Sequence, residues 1–168
     1  MKKKILVILA LFVVLVSAGC SGESPEKYYN DGVTLYNQGN YDGAITNFDK
    51  VTAINPNYKE VKKYLVYSWN DKGNTLYEEG KYSEAIACFD KALAVDPNDA
   101  DVWFNKGNAL GYQGKYEEAL ACYDKVIAIN PNDADGWWNK GVALELLGRY
   151  SEAEVCYAKA IQLDPSLG

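Results

Sequence analysis

The sequence predicts an all-α chain in which four helical hairpins stack into a solenoid. Glycine, tryptophan and proline each recur every 34 residues, as Gly73, Gly107 and Gly141 illustrate. Within a unit the apolar side chains follow helical spacing, so that Val102 and Leu110 fall on one face. A single hairpin cannot bury its own apolar faces, and stacking on its neighbours is the arrangement that buries them.

Composition excludes several classes of function. The 168 residues carry 23 acidic and 17 basic side chains, a net charge of -6, and include no histidine. Phosphate binding requires clustered Lys and Arg, so nucleic acid is disfavoured as a ligand. The lack of histidine excludes His-based triads and His-liganded zinc. Because no phosphate-binding loop or nucleophile–base pair is recognisable either, the sequence predicts a non-enzymatic protein without cofactor or metal.

Residues 1–19 have the pattern of a secretory signal peptide. Lys2, Lys3 and Lys4 precede an unbroken apolar run of twelve residues, from Ile5 to Val16. Twelve helical residues span about 18 Å, well short of a hydrocarbon core of about 30 Å. A cleaved signal is therefore favoured over a membrane-spanning helix.

The end of this segment, from Ser17 to Cys20, resembles the lipobox of prokaryotic lipoproteins, although Ser17 stands where leucine is usual. The resemblance implies cleavage before Cys20, a diacylglyceryl group on its sulfur, and an extracytoplasmic protein anchored in the cell envelope. Residues 20–24 would then form a short tether. A plain secretory signal and an uncleaved amphiphilic anchor remain open alternatives.

Each unit of the array is predicted to be two helices joined by a turn. In the unit 100–133, Asp99 is suited to cap the first helix and Gly114 permits the turn that ends it. The second helix, with Tyr123 on its apolar stripe, ends before Pro131. Equivalent units occupy residues 66–99, 134–167 and, in a more divergent copy, 25–58.

The units share aromatic, glycine, tyrosine, alanine and proline residues at fixed places, which in the third unit are Trp103, Gly107, Gly114, Tyr116, Ala119 and Pro131. This pattern, over residues 25–167, resembles the tetratricopeptide repeat (TPR) family. The resemblance implies a right-handed superhelical solenoid of four helix–turn–helix repeats whose concave inner groove binds partners.

The second unit carries seven additional residues. The prolines that end the first and second units lie 41 residues apart instead of 34, which places an insertion at residues 59–65. Seven residues are close to two helical turns, and Val61 and Leu65 continue the apolar stripe of Trp69. We therefore expect one extended helix from about Tyr58 to Glu78, projecting beyond the edge of the array.

Two patterns within the repeats imitate chemical sites. Cys88, Cys122 and Cys156 occupy one place in successive second helices, and stacked helices about 8–10 Å apart are too distant for disulfides. They are expected to be small buried apolar residues. The acidic loops beginning at Asp96 and Asn130 lack the glycine and glutamate of a calcium loop, so turn and capping roles are expected.

The resemblance assigns the inner groove to the second, fifth, sixth, ninth, twelfth and thirteenth residues of each unit. Here those places carry rings and amides, with carboxylates such as Asp71 and Glu145 and without Lys or Arg. Rings offer contact area, and Asn offers both donor and acceptor to an extended peptide. The candidate groove residues are Tyr29, Asn30, Tyr36, Tyr67, Asn70, Asn74, Tyr77, Phe104, Asn105, Asn108, Tyr112, Trp138 and Asn139.

The predicted function is a lipid-anchored scaffold that holds a neutral or basic protein or peptide partner in this groove. Relatives that clamp a terminal carboxylate need Lys and Arg there, so that class of partner is disfavoured. Two alternatives remain: the groove residues satisfy one another, or the groove binds a carbohydrate or small ligand.

The C-terminal end of the array is also a candidate contact site. No further helix is expected after Pro165, which would leave a face including Tyr157, Ala160 and Ile161 partly exposed. We expect self-association or partner docking through this face.

Overall fold

The computed structural model describes residues 23–58 and 60–168, and this part of the chain folds into paired α-helices joined by short turns. The helices are α1 (Pro25–Asn37), α2 (Tyr41–Ile54), α3 (Val61–Glu78), α4 (Tyr82–Val95), α5 (Ala100–Tyr112), α6 (Tyr116–Ile129), α7 (Ala134–Leu146) and α8 (Tyr150–Leu163), followed by a short 3-10 helix at Pro165–Leu167. The predicted all-α solenoid of helix pairs is confirmed. The predicted signal peptide, Cys20 and the start of the tether lie outside the described residues.

In the third pair, a side-chain cap and a left-handed turn set the ends of α5. Asp99 accepts a hydrogen bond from the Val102 backbone N–H at 3.0 Å, as expected for its capping role. Gly114 lies in the turn that follows α5, and its φ of 75° is costly for any residue with a side chain. The Lys115 N–H bonds back to the Leu110 carbonyl at 3.0 Å, which completes the turn into α6.

In every pair a glycine of the first helix lies against a ring of the second. A Cβ added to Gly107 would stand 2.7 Å from Cε1 of Tyr123, and one added to Gly73 would stand 2.5 Å from Cε1 of Phe89. Gly32 and Gly141 face Phe48 and Tyr157 in the same way. The glycine therefore sets how closely the two helices of a unit approach.

The apolar core runs continuously along the stack. Each helix packs against the next one in the chain, and α3 also touches α1 and α5. One alanine of each second helix is almost fully buried at these contacts, namely Ala44, Ala85, Ala119 and Ala153. Successive pairs therefore bury the faces that one hairpin would leave exposed.

The inserted segment is packed into the array, contrary to the expectation that it projects from it. Helix α3 begins at Val61, three residues after the predicted start. Val61 and Leu65 are only 1% and 5% exposed because they join the core formed with Phe48 of α2. The apolar stripe of α3 is thus extended as predicted, but the added part packs against the first repeat.

The three cysteines and the acidic loops have the structural roles expected of them. Cys88, Cys122 and Cys156 are buried free thiols, and burial raises the pKa of Cys122 to about 11. In the loops, Asp96 and Asn130 accept hydrogen bonds from backbone N–H groups two residues ahead. These are ordinary turn contacts.

The C-terminal end differs from the open face that the sequence suggests. Ala160 is fully buried, because it lies on the side of α8 that packs towards α7, together with Ala153 and Cys156. The 3-10 helix at Pro165–Leu167 folds back on α8, and the chain end at Gly168 lies beside the Ile161 side chain. Ile161 nevertheless keeps 36% of its surface exposed.

Among the described residues, no helix combines the length and apolarity needed to cross a membrane.

Candidate functional site

All the candidate groove residues lie on the first helices of the four pairs, α1, α3, α5 and α7. None of them is fully buried. The most accessible rings are Tyr67, with 39% of its surface exposed, and Tyr112, with 67%. The face is therefore available to a partner, although its polar groups are partly engaged with one another.

At the N-terminal end the groove is filled by rings from two repeats. Tyr64, which belongs to the inserted segment, contacts Tyr29, Tyr36 and Tyr67 edge-on, with ring centroids 5.7, 5.8 and 6.3 Å away. Such edge-to-face contacts are favourable for aromatic pairs. Tyr64 leaves little room for a guest beside Tyr29 and Tyr36.

A chain of polar contacts continues from this aromatic cluster. The Tyr36 hydroxyl donates to Asp71 at 2.6 Å, and the Asn70 amide lies 3.4 Å from the same carboxylate. Asn105 then donates to the Asn70 oxygen at 3.0 Å, which links α3 to α5. Burial, together with the Asp71 carboxylate, raises the pKa of Tyr36 well above its usual range. Tyr36, Asn70 and Asn105 therefore have polar partners within the groove face, as the interpretation that groove residues satisfy one another expects.

Three tyrosines form a second cluster at the middle of the groove. Tyr82 stacks on Tyr112 with centroids 5.3 Å apart, and Tyr77 meets both rings edge-on at 5.5 Å. Burial, and then the neighbouring Tyr112 hydroxyl, raises the pKa of Tyr77 to about 12. The Tyr77 hydroxyl therefore stays neutral at physiological pH and can donate or accept a hydrogen bond.

In the last two repeats the rings of the second helices carry hydroxyls that reach back to the groove face. The Tyr123 hydroxyl donates to the Asn108 oxygen at 2.9 Å, and the Tyr123 ring contacts Phe104. In the fourth pair the Tyr157 hydroxyl donates to Glu145 at 2.7 Å. Trp138 lies 4.8 Å from the Tyr157 ring.

Two candidate residues stand apart from these clusters. Asn30 is exposed on α1, where its backbone carbonyl accepts from the Thr34 hydroxyl. Asn74 is half-buried on α3 and takes part in none of the contacts above. Asn139, by contrast, donates to the Asp135 carbonyl at 2.9 Å.

A pocket of about 310 Å³ opens between α5, α6 and α7. Rings and aliphatic side chains make most of its wall, and Asn108 and Asn139 supply amides. The lining residues are Asn108, Gly111, Tyr112, Tyr116, Ala119, Tyr123, Asn139, Val142, Ala143 and Leu146, none of them charged. Three of the predicted residues therefore meet at a concave, mostly apolar site, the usual character of a ligand pocket.

Charge is distributed unevenly between the two sides of the first helices. The inner-groove places carry acids and no Lys or Arg, the acids being Glu26, Asp71, Glu78, Asp101, Asp135 and Glu145. On the adjoining face, Lys106 and Lys140 bind Asp90 and Asp124, each at 2.6 Å. Lys63, from the inserted segment, brings a positive charge to Tyr67, 5.7 Å from its ring centroid.

Several groove-forming residues escape a prediction based on the first helices alone. Tyr82, Tyr116, Tyr123 and Tyr157 come from the second helices, and Tyr64 comes from the inserted turns. One signal was present: Phe48 and Phe89 give way to tyrosine at the equivalent place in the last two units. A hydroxyl there requires a polar partner, which the groove supplies.

Two family models that match this chain describe the same kind of repeat. A family model described as "Tetratricopeptide repeat" matches residues 25–58, 100–133 and 134–167, and a "TPR repeat" model matches residues 73–113. A search of curated proteins gave no match.

Solved structures share the fold. The first TPR of Spaghetti (RPAP3), bound to the HSP90 peptide SRMEEVD, is 27% identical, with a TM-score of 0.59 over 60% of this chain and 79% of that one. The second TPR of the same protein, with the same peptide, is 28% identical, with a TM-score of 0.59 over 63% of this chain and 100% of that one. MamA from Desulfovibrio magneticus is 24% identical, with a TM-score of 0.58 over 85% and 77% of the two chains.

Proposed function

Because the chain belongs to the tetratricopeptide repeat family, we propose that it is a non-enzymatic scaffold that holds a protein or peptide partner in its inner groove. The observation that carries the proposal is the open pocket between α5, α6 and α7, where the exposed Tyr112 ring converges with two further tyrosine rings and two amides. Rigid rings provide contact area at low entropic cost, and the amides can bond a peptide backbone.

The charge of the groove supports a neutral or basic partner. The HSP90 peptide SRMEEVD, which two of the similar structures hold, carries three acidic side chains. The inner face of the present chain is itself acidic and has no Lys or Arg at its groove places. Like charges across an interface are unfavourable, so the proposed partner differs in chemistry from that peptide.

Photocrosslinking in the native membrane tests this proposal. A photoreactive residue at Tyr112, 67% exposed in the groove, should link to one defined partner. The matched control is the same residue at Val155, which is also 67% exposed but lies on the second helix of its pair. Equal products from the two positions, or none from Tyr112, would contradict the proposal.

We further propose that the scaffold is a lipoprotein anchored through Cys20 outside the cytoplasmic membrane. The support is the sequence from Met1 to Cys20, with its basic start, apolar run and small residues before the cysteine. Replacement of Cys20→Ser should release the protein from the membrane fraction. Retention of the variant in that fraction would argue against lipid attachment.

A second candidate is binding of a carbohydrate or small ligand. The specific observation in its favour is the pocket of about 310 Å³ with Tyr112, Tyr116 and Tyr123 in its wall. Saturable binding of soluble glycans, without a protein product from Tyr112 crosslinking, would favour this candidate over the scaffold.

A further inference from the structure

The pocket exists because one ring is missing from a repeated arrangement. In the first two pairs the twelfth residue of the unit is a tyrosine whose ring lies against the first residue of the second helix. Tyr36 lies 5.9 Å from Tyr41, and Tyr77 lies 5.5 Å from Tyr82, between ring centroids. The equivalent residue of the third pair is Gly111.

Gly111 leaves real space where the other repeats have a side chain. A Cβ built on Gly111 would meet no atom within 4 Å. Tyr116, the counterpart of Tyr41 and Tyr82, lines the resulting pocket. An engineered cavity of about 150 Å³ is large enough to hold benzene, so the observed volume of about 310 Å³ is ample for a phenol ring.

The polar groups in the pocket wall suit a ring that carries a hydroxyl. Tyr36 donates to Asp71, which is the sixth residue of the following unit. The sixth residue after the third unit is Asn139, which also lines the pocket. Asn139 uses its amide nitrogen on the Asp135 carbonyl, and this arrangement leaves its side-chain oxygen as the acceptor.

We propose that this pocket receives a tyrosine side chain of the bound partner, which takes the place that Tyr36 and Tyr77 fill in their own repeats. This inference rests on the proposed scaffold function and specifies the side chain that the groove selects. The guest ring would contact Tyr116, and its hydroxyl would donate to Asn139. Since the pocket wall is uncharged and the groove around it is acidic, the flanking residues of the guest are basic.

The test uses the full-length chain in phospholipid nanodiscs and two fluorescein-labelled, C-amidated peptides. One has the sequence Lys-Gly-Tyr-Gly-Lys and the other has alanine in place of tyrosine. Burial of the ring should make the tyrosine peptide bind about tenfold more tightly or better, as measured by fluorescence anisotropy. Equal affinity for the two peptides would overturn the inference.

Two substitutions at one position localise the effect. Gly111→Tyr should fill the pocket with the chain's own ring and remove the preference for the tyrosine peptide, whereas Gly111→Ala adds only a methyl group in open space and should keep it. Circular dichroism should show both variants folded. A preference for tyrosine that survives Gly111→Tyr in the folded protein would also overturn the inference.

These results separate the inference from the function on which it rests. If Tyr112 crosslinking yields a defined partner while the peptides are bound without discrimination, the pocket assignment fails and the scaffold stands. If Tyr112 crosslinking yields nothing, the scaffold itself fails.

Discussion

At the residue scale, the fold depends on places where nothing larger than hydrogen fits. Gly107 lies against the Tyr123 ring, and an added Cβ would come within 2.7 Å of it. Gly111, one turn further along the same helix, has open space at the same atom. The two glycines therefore serve different purposes: the first sets helix spacing, and the second shapes the pocket.

Alanine substitution should distinguish these purposes. Both changes gain the same helix propensity, so the difference between them isolates the steric contact. We expect Gly107→Ala to be less stable than Gly111→Ala by about 1–3 kcal/mol, the usual cost of overpacking. Urea unfolding followed by circular dichroism measures both. Equal unfolding midpoints for the two variants would show that the Tyr123 ring can move away from the added methyl group without loss of stability.

The tyrosine–carboxylate contacts predict how stability responds to alkaline pH. Burial and the Glu145 contact raise the pKa of Tyr157 from 10.0 to about 12. Between these pH values, Tyr157 loses its proton in the unfolded chain and keeps it in the folded chain. The contribution of Tyr157 to the free energy of unfolding is therefore fully present below pH about 10 and is lost as pH rises from about 10 to 12.

Tyr157→Phe should make the decline in stability over this range shallower, measured as urea midpoints at a series of pH values. Phenylalanine is compatible with the site, since Phe48 and Phe89 occupy the equivalent places. The control is Tyr150→Phe, which removes a hydroxyl from a side chain 64% exposed on the same helix. Identical curves for the wild type and Tyr157→Phe would refute the prediction.

At the scale of a single element, helix α3 shows how an insertion is accommodated. Its added turns keep the apolar stripe in phase, so Val61 and Leu65 are buried against the first repeat. The same turns bring Tyr64 into the groove beside Tyr29 and Tyr36. The insertion thereby adds apolar contacts between the first two repeats and fills part of the inner groove.

Leu65→Ala should lower the free energy of unfolding by about 2–5 kcal/mol, because it leaves a cavity in this joint. Lys62→Ala, on the exposed side of the same turns, should change it by no more than about 0.5 kcal/mol. Urea unfolding again provides the measurement. A small effect at Leu65 would mean that the added turns stand free, as the sequence alone suggests.

Element boundaries were more predictable than side-chain partners. The 34-residue recurrence is enough to place the pairs, since caps such as Asp99 and turns such as Gly114 act locally. Whether α3 projects or packs depends on the tertiary contact between Val61 and the first repeat, which the pattern within one repeat does not specify. The repeat also places the candidate residues on one face. The occlusion by Tyr64 and the pocket at Gly111 depend on contacts between repeats, which the sequence pattern does not specify.

At the scale of the whole molecule, stability should be graded along the array. Contacts run from each helix to the next, with the first repeat further braced by α1–α3 contacts. The last repeat has a neighbour on one side only, and Tyr150 and Val155 of α8 remain 64% and 67% exposed. Repeat arrays of this kind open from their less supported ends.

Hydrogen exchange with mass spectrometry should therefore find α8 exchanging fastest and the central helices α4 to α6 slowest, with α1 in between. The α1 peptides provide the internal comparison, because that helix is also terminal but is braced by α3. Uniform exchange along the chain would instead indicate that the array opens as a single cooperative unit.

In all four units, a glycine of the first helix faces a ring of the second helix, whatever side chain the unit presents to the groove. The fifth residue of the unit changes from Tyr29 to Asn70, Phe104 and Trp138, while the glycine three residues later never changes. The spacing of the two helices within each unit is thus set by an invariant glycine and the ring that faces it, and not by the groove residue that varies. The groove side chains of each unit can therefore change one at a time while the packing of its two helices is kept.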